Sequence, residues 1–489
     1  MAQFGKRLAE AKIWLKPNME TLQRTANRGS VATGYDVDNS VSLQTAGVNS
    51  EFLNYNVTSA GSRTKGTVSL WIKRSSLGTL QYIWEQGDTD NDNGRLFARF
   101  GTDDTLRLAG GSTVFLNTNR AFRDISAWYH IVVAIDTTSG TADNRARIYI
   151  NGVEETSFST RNNFSEDDVT GLNFQRQYIG SSTVDNASYQ TLNAYVAEVF
   201  GADGLVYAAS DFGEFDSSGI WKPKDLSAIS SSVGTNGFYL KFENAGSMGA
   251  NSAGSGHGFS VQNINQHDQA QDVPSNNFCT TNPLLTNAGT TRYLTQIRGN
   301  AYAFSETNAY NIAVGTIGVS TGKWYWEIKM TQVAAITFAG ITYPSIYNAD
   351  YTLGGTIFVD DNNDPVRYNA SGRSAFGSAF GNGDIIAFAL DMDASTPTMT
   401  VYKNNSSLGN LMAGLSIGGT GTAYLPPKEE GYFPKIGAYG SVIFECNFGG
   451  FRPTFIDNAE SDENGYGAFA YAPPTGFHAI CTKNLAEYG

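Results

Sequence analysis

The sequence predicts an all-β protein: two antiparallel β-sandwich domains, jelly-roll-like, behind a short N-terminal arm. Three observations predict it. Short runs of aromatic and β-branched residues recur at roughly ten-residue spacing, separated by Gly, Asn, Ser and Thr. Several of these runs alternate apolar and polar residues, the period of a strand with one buried face. Glycine is abundant (53) and proline scarce (13), as many tight turns between strands require. With 489 residues, the chain is long enough to give each of two or three domains its own core.

Residues 1–30 read as the arm. "GKRLAEAKIWLKP" suits a helix or a strand, and Pro17 ends either. Such an arm either packs on its own domain or attaches the chain to a larger assembly. Residues 31–245 form the first sandwich. "TKGTVSLWIKRS" sets Val68, Leu70 and Ile72 on one face. "QYIWEQG", "GRLFARFG", "DTLRLAGG", "AWYHIVVAIDTTSG" and "RARIYINGVEE" follow, the last with an Asn151-Gly152 pair that signals a two-residue hairpin. "LNAYVAEVFGADGLV" closes the set. Residues 246–275 are dominated by Gly, Ser, Asn and Gln and read as a linker or long surface loop. Residues 276–489 form the second sandwich. In "STGKWYWEIKMTQ", Trp324, Trp326 and Ile328 share a face, with Tyr325, Glu327 and Lys329 opposite. "FCTTNPL" (278–284) echoes "ICTKNLA" (480–486), which predicts that the C-terminal extension packs back beside 278–284.

Net charge is −13, and no basic stripe is evident that reverses it locally. Binding to nucleic-acid phosphates or anionic membranes is therefore not expected. Cys279, Cys446 and Cys481 are odd in number and widely spaced, which argues against a disulfide framework and a zinc site. Free thiols fit assembly in a reducing cytoplasm. The four histidines do not pair at metal-ligand spacing, and His130 sits inside a strand-like run. The N-terminus lacks the apolar core and cleavage site of a signal peptide, and no apolar run reaches membrane-spanning length.

With these runs in view, the first half resembles a concanavalin A-like lectin/glucanase domain of the laminin-G kind over roughly 40–225. Trp128-Tyr129-His130 and Ile148-Tyr149-Ile150-Asn151-Gly152 carry that resemblance. The second half is similar to a SPRY domain over roughly 300–450, through Gly322-Lys323-Trp324-Tyr325-Trp326-Glu327, Gly383-Asp384 and Tyr402-Lys403-Asn404. Their order, joined by "SDFGEFDSSGIWKP", resembles structural proteins of marine tailed phages. The resemblance implies a virion protein on the particle surface, reaching the exterior by assembly in the host cytoplasm and lysis.

The lectin/glucanase fold also hosts glycosidases, which need two carboxylates facing each other across the scissile bond. Glu198 and Asp203 are five apart and fall on opposite faces of an ideal strand, so they make no dyad. GxSxG, HExxH and P-loop motifs are absent. A non-enzymatic binder is the expectation. "TYPSIYNADY" supplies Tyr343, Tyr347 and Tyr351 beside Asn348 and Asp350, a candidate sugar- or receptor-binding loop that could equally pack against neighbouring subunits.

"QGDTDNDNGR" places Asp88, Asp90 and Asp92 on alternate positions. An EF-hand needs Gly at its sixth position and Glu at its twelfth, and here these are Asn93 and Arg99. Two readings stay open: an ion-free turn, or calcium on an exposed loop. "VDDNNDPVRY" poses the same question in the second domain. Calcium is thus the one cofactor considered. The expected partners are other virion proteins, further copies of this chain, and a host surface glycan or protein receptor. Two alternatives remain, a purely architectural subunit and a polysaccharide depolymerase.

Overall fold

The computed structural model describes residues 34–44, 50–87, 94–182, 191–284, 291–293, 295–297, 299, 302–305, 310–333, 336–344, 357–358, 366–369, 372–418, 424–451, 453–456 and 458–489. The arm at 1–30 lies outside them. The described chain is nearly all β, in several antiparallel sheets. Ser227–Ser230 and Thr482–Tyr488 are its α-helices. No described helix is long and apolar enough to cross a membrane.

The first half contributes β1 (Ser40–Leu43), β2 (Phe52–Asn56), β3 (Lys65–Arg74), β4 (Gln81–Gly87), β5 (Arg95–Phe100), β6 (Thr105–Gly110), β7 (Thr113–Ala121), β8 (Tyr129–Asp136) and β9 (Ala146–Ile150). Next come β10 (Val153–Glu154), β11 (Phe158–Arg161), β12 (Arg176–Ile179), β13 (Ala194–Asp203), β14 (Gly213–Phe215), β15 (Trp221–Pro223), β16 (Phe238–Leu240), β17 (Ser260–Gln262) and β18 (Gln269–Ala270). A back sheet runs β10-β9-β8-β3-β13-β1-β18, with β16 paired to the end of β13. A front sheet runs β11-β7-β6-β5-β4-β12-β2-β17. Alternation builds the core between them. Val68, Leu70 and Ile72 of β3 meet Leu96, Ala98 and Phe100 of β5 and Leu106 and Leu108 of β6. Each of the Val, Leu, Ile and Phe side chains contributes about 1.5–3 kcal/mol when removed from water. Asn151 and Gly152, both at positive φ, join β9 to β10 through the two-residue turn their sequence predicts.

Both faces of the back sheet are covered. Its outer side carries Val132, Ala134 and Phe200 under Phe212, Leu226 and Val233 from the 204–256 excursion. Farther along, Trp71, Trp128 and Tyr195 pack with Ala270, Val273 and Phe451.

The segment 246–275 is not a free linker. Its β17 pairs with β2 and its β18 with β1. Met248, Phe259 and Ile264 are buried in the first core. Three well-spaced apolar side chains and two short strands suffice to bind it there, a pattern too sparse to stand out against its Gly/Ser/Asn background. The first sandwich therefore extends to about residue 270.

In the second half, one sheet orders Thr291–Tyr293, Tyr310–Val314, Phe433–Tyr439, Ile336–Thr342 and Ile357–Phe358. The other orders Thr295–Ile297, Tyr302–Ser305, Val442–Asn447, Lys323–Gln332, Ile385–Asp391, Thr398–Lys403 and Ser406–Asn410, with His478–Ala479 added to Lys323–Gln332. Trp324, Trp326 and Ile328 enter the core, where Trp326 stacks on Phe388 at 5.2 Å. The opposite face is also buried: Tyr325 packs with Phe278, Phe469 and Cys481 beneath the C-terminal tail. Phe278 and Cys481 form an antiparallel bridge, and the Cys279 N–H donates to the Ile480 carbonyl at 2.9 Å. All three cysteines are buried free thiols.

Asp272 and Lys73 fasten the two sandwiches to each other. The Lys73 ammonium donates to Asp272 (2.6 Å), Asn277 (2.7 Å) and the Phe278 carbonyl (3.0 Å), while Trp128 Nε1 donates to the other Asp272 oxygen (3.0 Å).

Candidate functional site

The two-residue strand period decides what the front sheet shows on its outer side. On β5, Leu96, Ala98 and Phe100 enter the core, so Arg95, Phe97 and Arg99 point away from it. On β6, Leu106 and Leu108 go in, and Arg107 and Ala109 go out. On β12, Ile179 goes in, and Arg176 and Tyr178 go out. In β4 a bulge between Tyr82 and Trp84 sends both Ile83 and Trp84 inward and leaves Tyr82 and Glu85 outside. Register then sets these residues in rows. One row reads Tyr82, Arg99, Arg107, Asn117, and the next reads Asn54, Tyr178, Glu85, Phe97, Ala109.

Guanidinium groups and rings interleave on this side of the sheet, where Tyr82, Phe97 and Ala109 form a small buried cluster with Leu80 and Val114 packed against it. Arg99 lies 5.4 Å from the Tyr82 ring centre and 5.1 Å from that of Phe97, and Arg95 lies 5.3 Å from Phe97. Arg99 Nη1 donates to the Tyr82 hydroxyl at 3.0 Å. Arg95 Nη2 donates to the buried Glu85 carboxylate and to Ser182 Oγ at 2.9 Å. Burial works against the Arg95 charge, but Glu85 outweighs it and holds the guanidinium above its ordinary value. Arg107 Nη2 reaches Asp103 Oδ2 at 2.8 Å. Neither Arg99 nor Arg176 has an acidic partner among the described residues. The Nε atoms of Arg99 and Arg107 are enclosed without an acceptor among the described residues. Phe52 and Tyr178, half-buried, put their rings 5.9 Å apart at the margin.

Among the described residues, four arginines thus face two acids on one surface of a chain whose net charge is −13. These arginines form a group that no run in the sequence shows, two of them already paired with acids. Its members come from three strands spread over 95–176, so no local run of basic residues announces them. The signal available was the alternation in "RLFARFGTDDTLRL", whose polar phase is arginine.

Asp88, Asp90 and Asp92 lie outside the described residues, as do Tyr347, Asn348, Asp350 and Tyr351. Tyr343 is 1% exposed at the end of strand Ile336–Thr342, so its ring belongs to the protein interior and not to a ligand surface. No group of three or more His, Cys, Asp or Glu able to hold a metal occurs among the described residues.

Three arrangements with catalytic residue types have structural roles. Asp203 accepts from the backbone N–H groups of Ser62 (2.7 Å) and Asn236 (3.1 Å). Glu198 sits at positive φ in a bulge of β13, buried against Tyr239 and Tyr35, and burial pushes its carboxyl up to about 7. The two acids do not share a groove. Ser69 Oγ and His130 Nε2 are 2.9 Å apart, but Trp221 Nε1 donates to His130 Nδ1 at 3.1 Å. The ring proton is thereby assigned to Nε2, so His130 donates to the serine and takes no proton from it. Burial also pushes His130 down to about 3. A polar cleft of about 420 Å³ beside Lys241 and Glu243 is lined by Asn244, Ser247, Asn251 and Ser252, with no aromatic ring. It is a poorer platform than the front sheet.

Residues 22–200 match the concanavalin A-like lectin/glucanases superfamily. No curated protein sequence matches the chain. A heptameric SAP-like pentraxin from Limulus polyphemus is 17% identical over 36% of this chain and 80% of its own, with a TM-score of 0.28. A human SPRY domain is 20% identical over 30% of this chain and 90% of its own, with a TM-score of 0.23. A Trypanosoma rangeli sialidase in complex with sialic acid is 14% identical over 37% of this chain and 28% of its own, with a TM-score of 0.28. The first sandwich therefore has a concanavalin A-like lectin fold, and the chain has SPRY domains among its structural neighbours.

Proposed function

We propose that this chain is a non-enzymatic glycan-binding protein of a virion surface, a short tail fibre, knob or capsid decoration that holds the particle to a host cell. The observation that carries the binding role is the outer face of the front sheet. There, the half-buried rings of Phe52 and Tyr178, the amides of Asn54 and Asn117 and the guanidiniums of Arg99 and Arg176 lie on neighbouring rigid strands. Aromatic faces cover the apolar side of a sugar ring, and amides and guanidiniums bond its oxygens. The lectin-like fold of the first sandwich supports the same reading. The virion setting rests on the order of the two domains, which resembles that of tailed-phage structural proteins. A non-enzymatic role is supported by the three structural assignments above: Asp203, Glu198 and His130 are each committed to the fold.

Binding of the purified protein to candidate host cells and their surface glycans, with and without a calcium chelator, tests the reading. Saturable binding with the glycan left intact is expected. Loss of binding on chelation would make Asp88, Asp90 and Asp92 the first residues to mutate. Release of shortened glycan would instead establish a depolymerase. Absence of binding by folded protein would leave an architectural subunit.

A further inference from the structure

We propose that the outer face of the front sheet selects acidic polysaccharides, chains bearing carboxylate or sulfate groups, over neutral ones. The inference rests on the glycan-binding reading and deepens it. Arg99 and Arg107 stand directly opposite each other on neighbouring strands. Their backbones are about 5 Å apart, and like charges so placed repel. Arg107 has the half-exposed Asp103 beside it, while Arg99 has a tyrosine hydroxyl and no acid among the described residues. Arg176 likewise has no acidic partner among the described residues. Two guanidiniums on one sheet face, with no acid among the described residues, call for an acidic acceptor from outside.

Chemistry narrows that acceptor. A guanidinium keeps its charge at every physiological pH, and its planar fork matches the two oxygens of a carboxylate or sulfate. Phe97 and Tyr82 lie against these guanidiniums and hold them in place. Charges recur across the face: Arg176 lies level with Arg95, two strands from β5 and four residues from Arg99, so the backbones of the two arginines without acids among the described residues are spaced roughly 16 Å apart. A single small anion engages one of these groups, whereas a chain with regularly spaced charges engages several. The rings of Phe52 and Tyr178 and the amides of Asn54 and Asn117 suit sugar faces and hydroxyls. Long nucleic acid is disfavoured, because the remainder of a chain at −13 repels phosphates beyond the patch.

The test uses the full chain and calorimetric titration with alginate (carboxylate only), dextran sulfate (sulfate only) and neutral dextran. Double-stranded DNA and phosphatidylserine vesicles are titrated in parallel. Alginate, dextran sulfate or both should bind, with affinity falling as salt rises, and dextran should not. The arm that binds names the acidic group. The double variant Arg99→Gln/Arg176→Gln should bind at least about tenfold more weakly. Arg147→Gln, on the back sheet, should bind like the parent, and thermal melting checks that each variant folds. Binding of dextran but of neither acidic chain would overturn the acidic preference and leave the glycan reading standing. Failure of all polysaccharides, together with failure on host cells, would remove both. DNA or vesicles bound as tightly as the polysaccharide, or a double variant that binds like the parent, would overturn the assignment to this face.

Discussion

Glutamine substitution should separate two buried carboxyls that burial affects alike. Glu198 and Glu327 are both enclosed, and burial pushes each up to about 7. Their partners differ. Glu327 Oε1 accepts from the Tyr325 hydroxyl (3.0 Å) and the Tyr471 N–H (2.9 Å), and Oε2 from Asn447 Nδ2 (3.1 Å) and the Ala470 N–H (2.8 Å). Whichever way a glutamine turns, its amide nitrogen faces a backbone N–H that can only donate. Glu327→Gln therefore strands a buried donor at a cost of about 1–3 kcal/mol. That cost offsets most of the gain at pH 8, about 3 kcal/mol, from removing a carboxyl raised from 4.5 to about 7, so stability there should change little. Glu198 meets two tyrosine hydroxyls, which accept as well as donate, so glutamine fits there. The folded Glu198 carboxyl binds its proton more tightly than the ordinary value of 4.5. Its contribution to stability is complete below about pH 4.5 and is lost as pH rises through about 7. A rise from 4.5 to about 7 amounts to a loss of about 3 kcal/mol, which glutamine avoids. Glu198→Gln should thus raise stability at pH 8 by as much as about 3 kcal/mol and change little at pH 4.5. Guanidinium denaturation at the two pH values reads both effects. Equal shifts for the two variants, or a Glu198→Gln protein less stable than the parent at pH 8, would refute the reasoning.

Three further substitutions test the architecture. Lys73→Met leaves the Asp272 carboxylate buried without its cation and should cost about 3–5 kcal/mol in denaturant unfolding. Because the pair joins the two sandwiches, unfolding followed by separate probes in each should also cease to coincide. Tyr343→Ala should destabilise by about 3 kcal/mol through the cavity it leaves and leave glycan binding unchanged at temperatures where the protein stays folded. Gly152→Ala places a methyl 2.3 Å from Trp221 at a φ of +82°, so it should lower the melting temperature, whereas substitution at Gly140, where a Cβ meets nothing, should not.

Much of the fold is legible in the sequence because burial follows the strand period. Val68, Leu70 and Ile72, and later Trp324, Trp326 and Ile328, point inward as their alternation predicts. Asn151-Gly152 turns its hairpin for reasons local to two residues. The echo between 278–284 and 480–486 falls on two segments joined at Phe278 and Cys481. What the sequence conceals is non-local. The 246–275 segment is anchored by Met248, Phe259 and Ile264, too few to register as a pattern. The front-sheet face depends on strand order, which sets Arg176 of β12 two strands away from Arg95 and Arg99 of β5 although some 80 positions lie between. Glu327 reads as a solvent-facing position from alternation alone, and only the returning tail buries it.

Hydrogen–deuterium exchange of the full chain, with and without saturating acidic polysaccharide, tests the location of the binding face most directly. Slowed exchange is predicted at Arg95–Phe100, Thr105–Gly110 and Arg176–Ile179, with the second sandwich unchanged. Protection confined to 343–351, or binding without protection on the front sheet, would contradict the account.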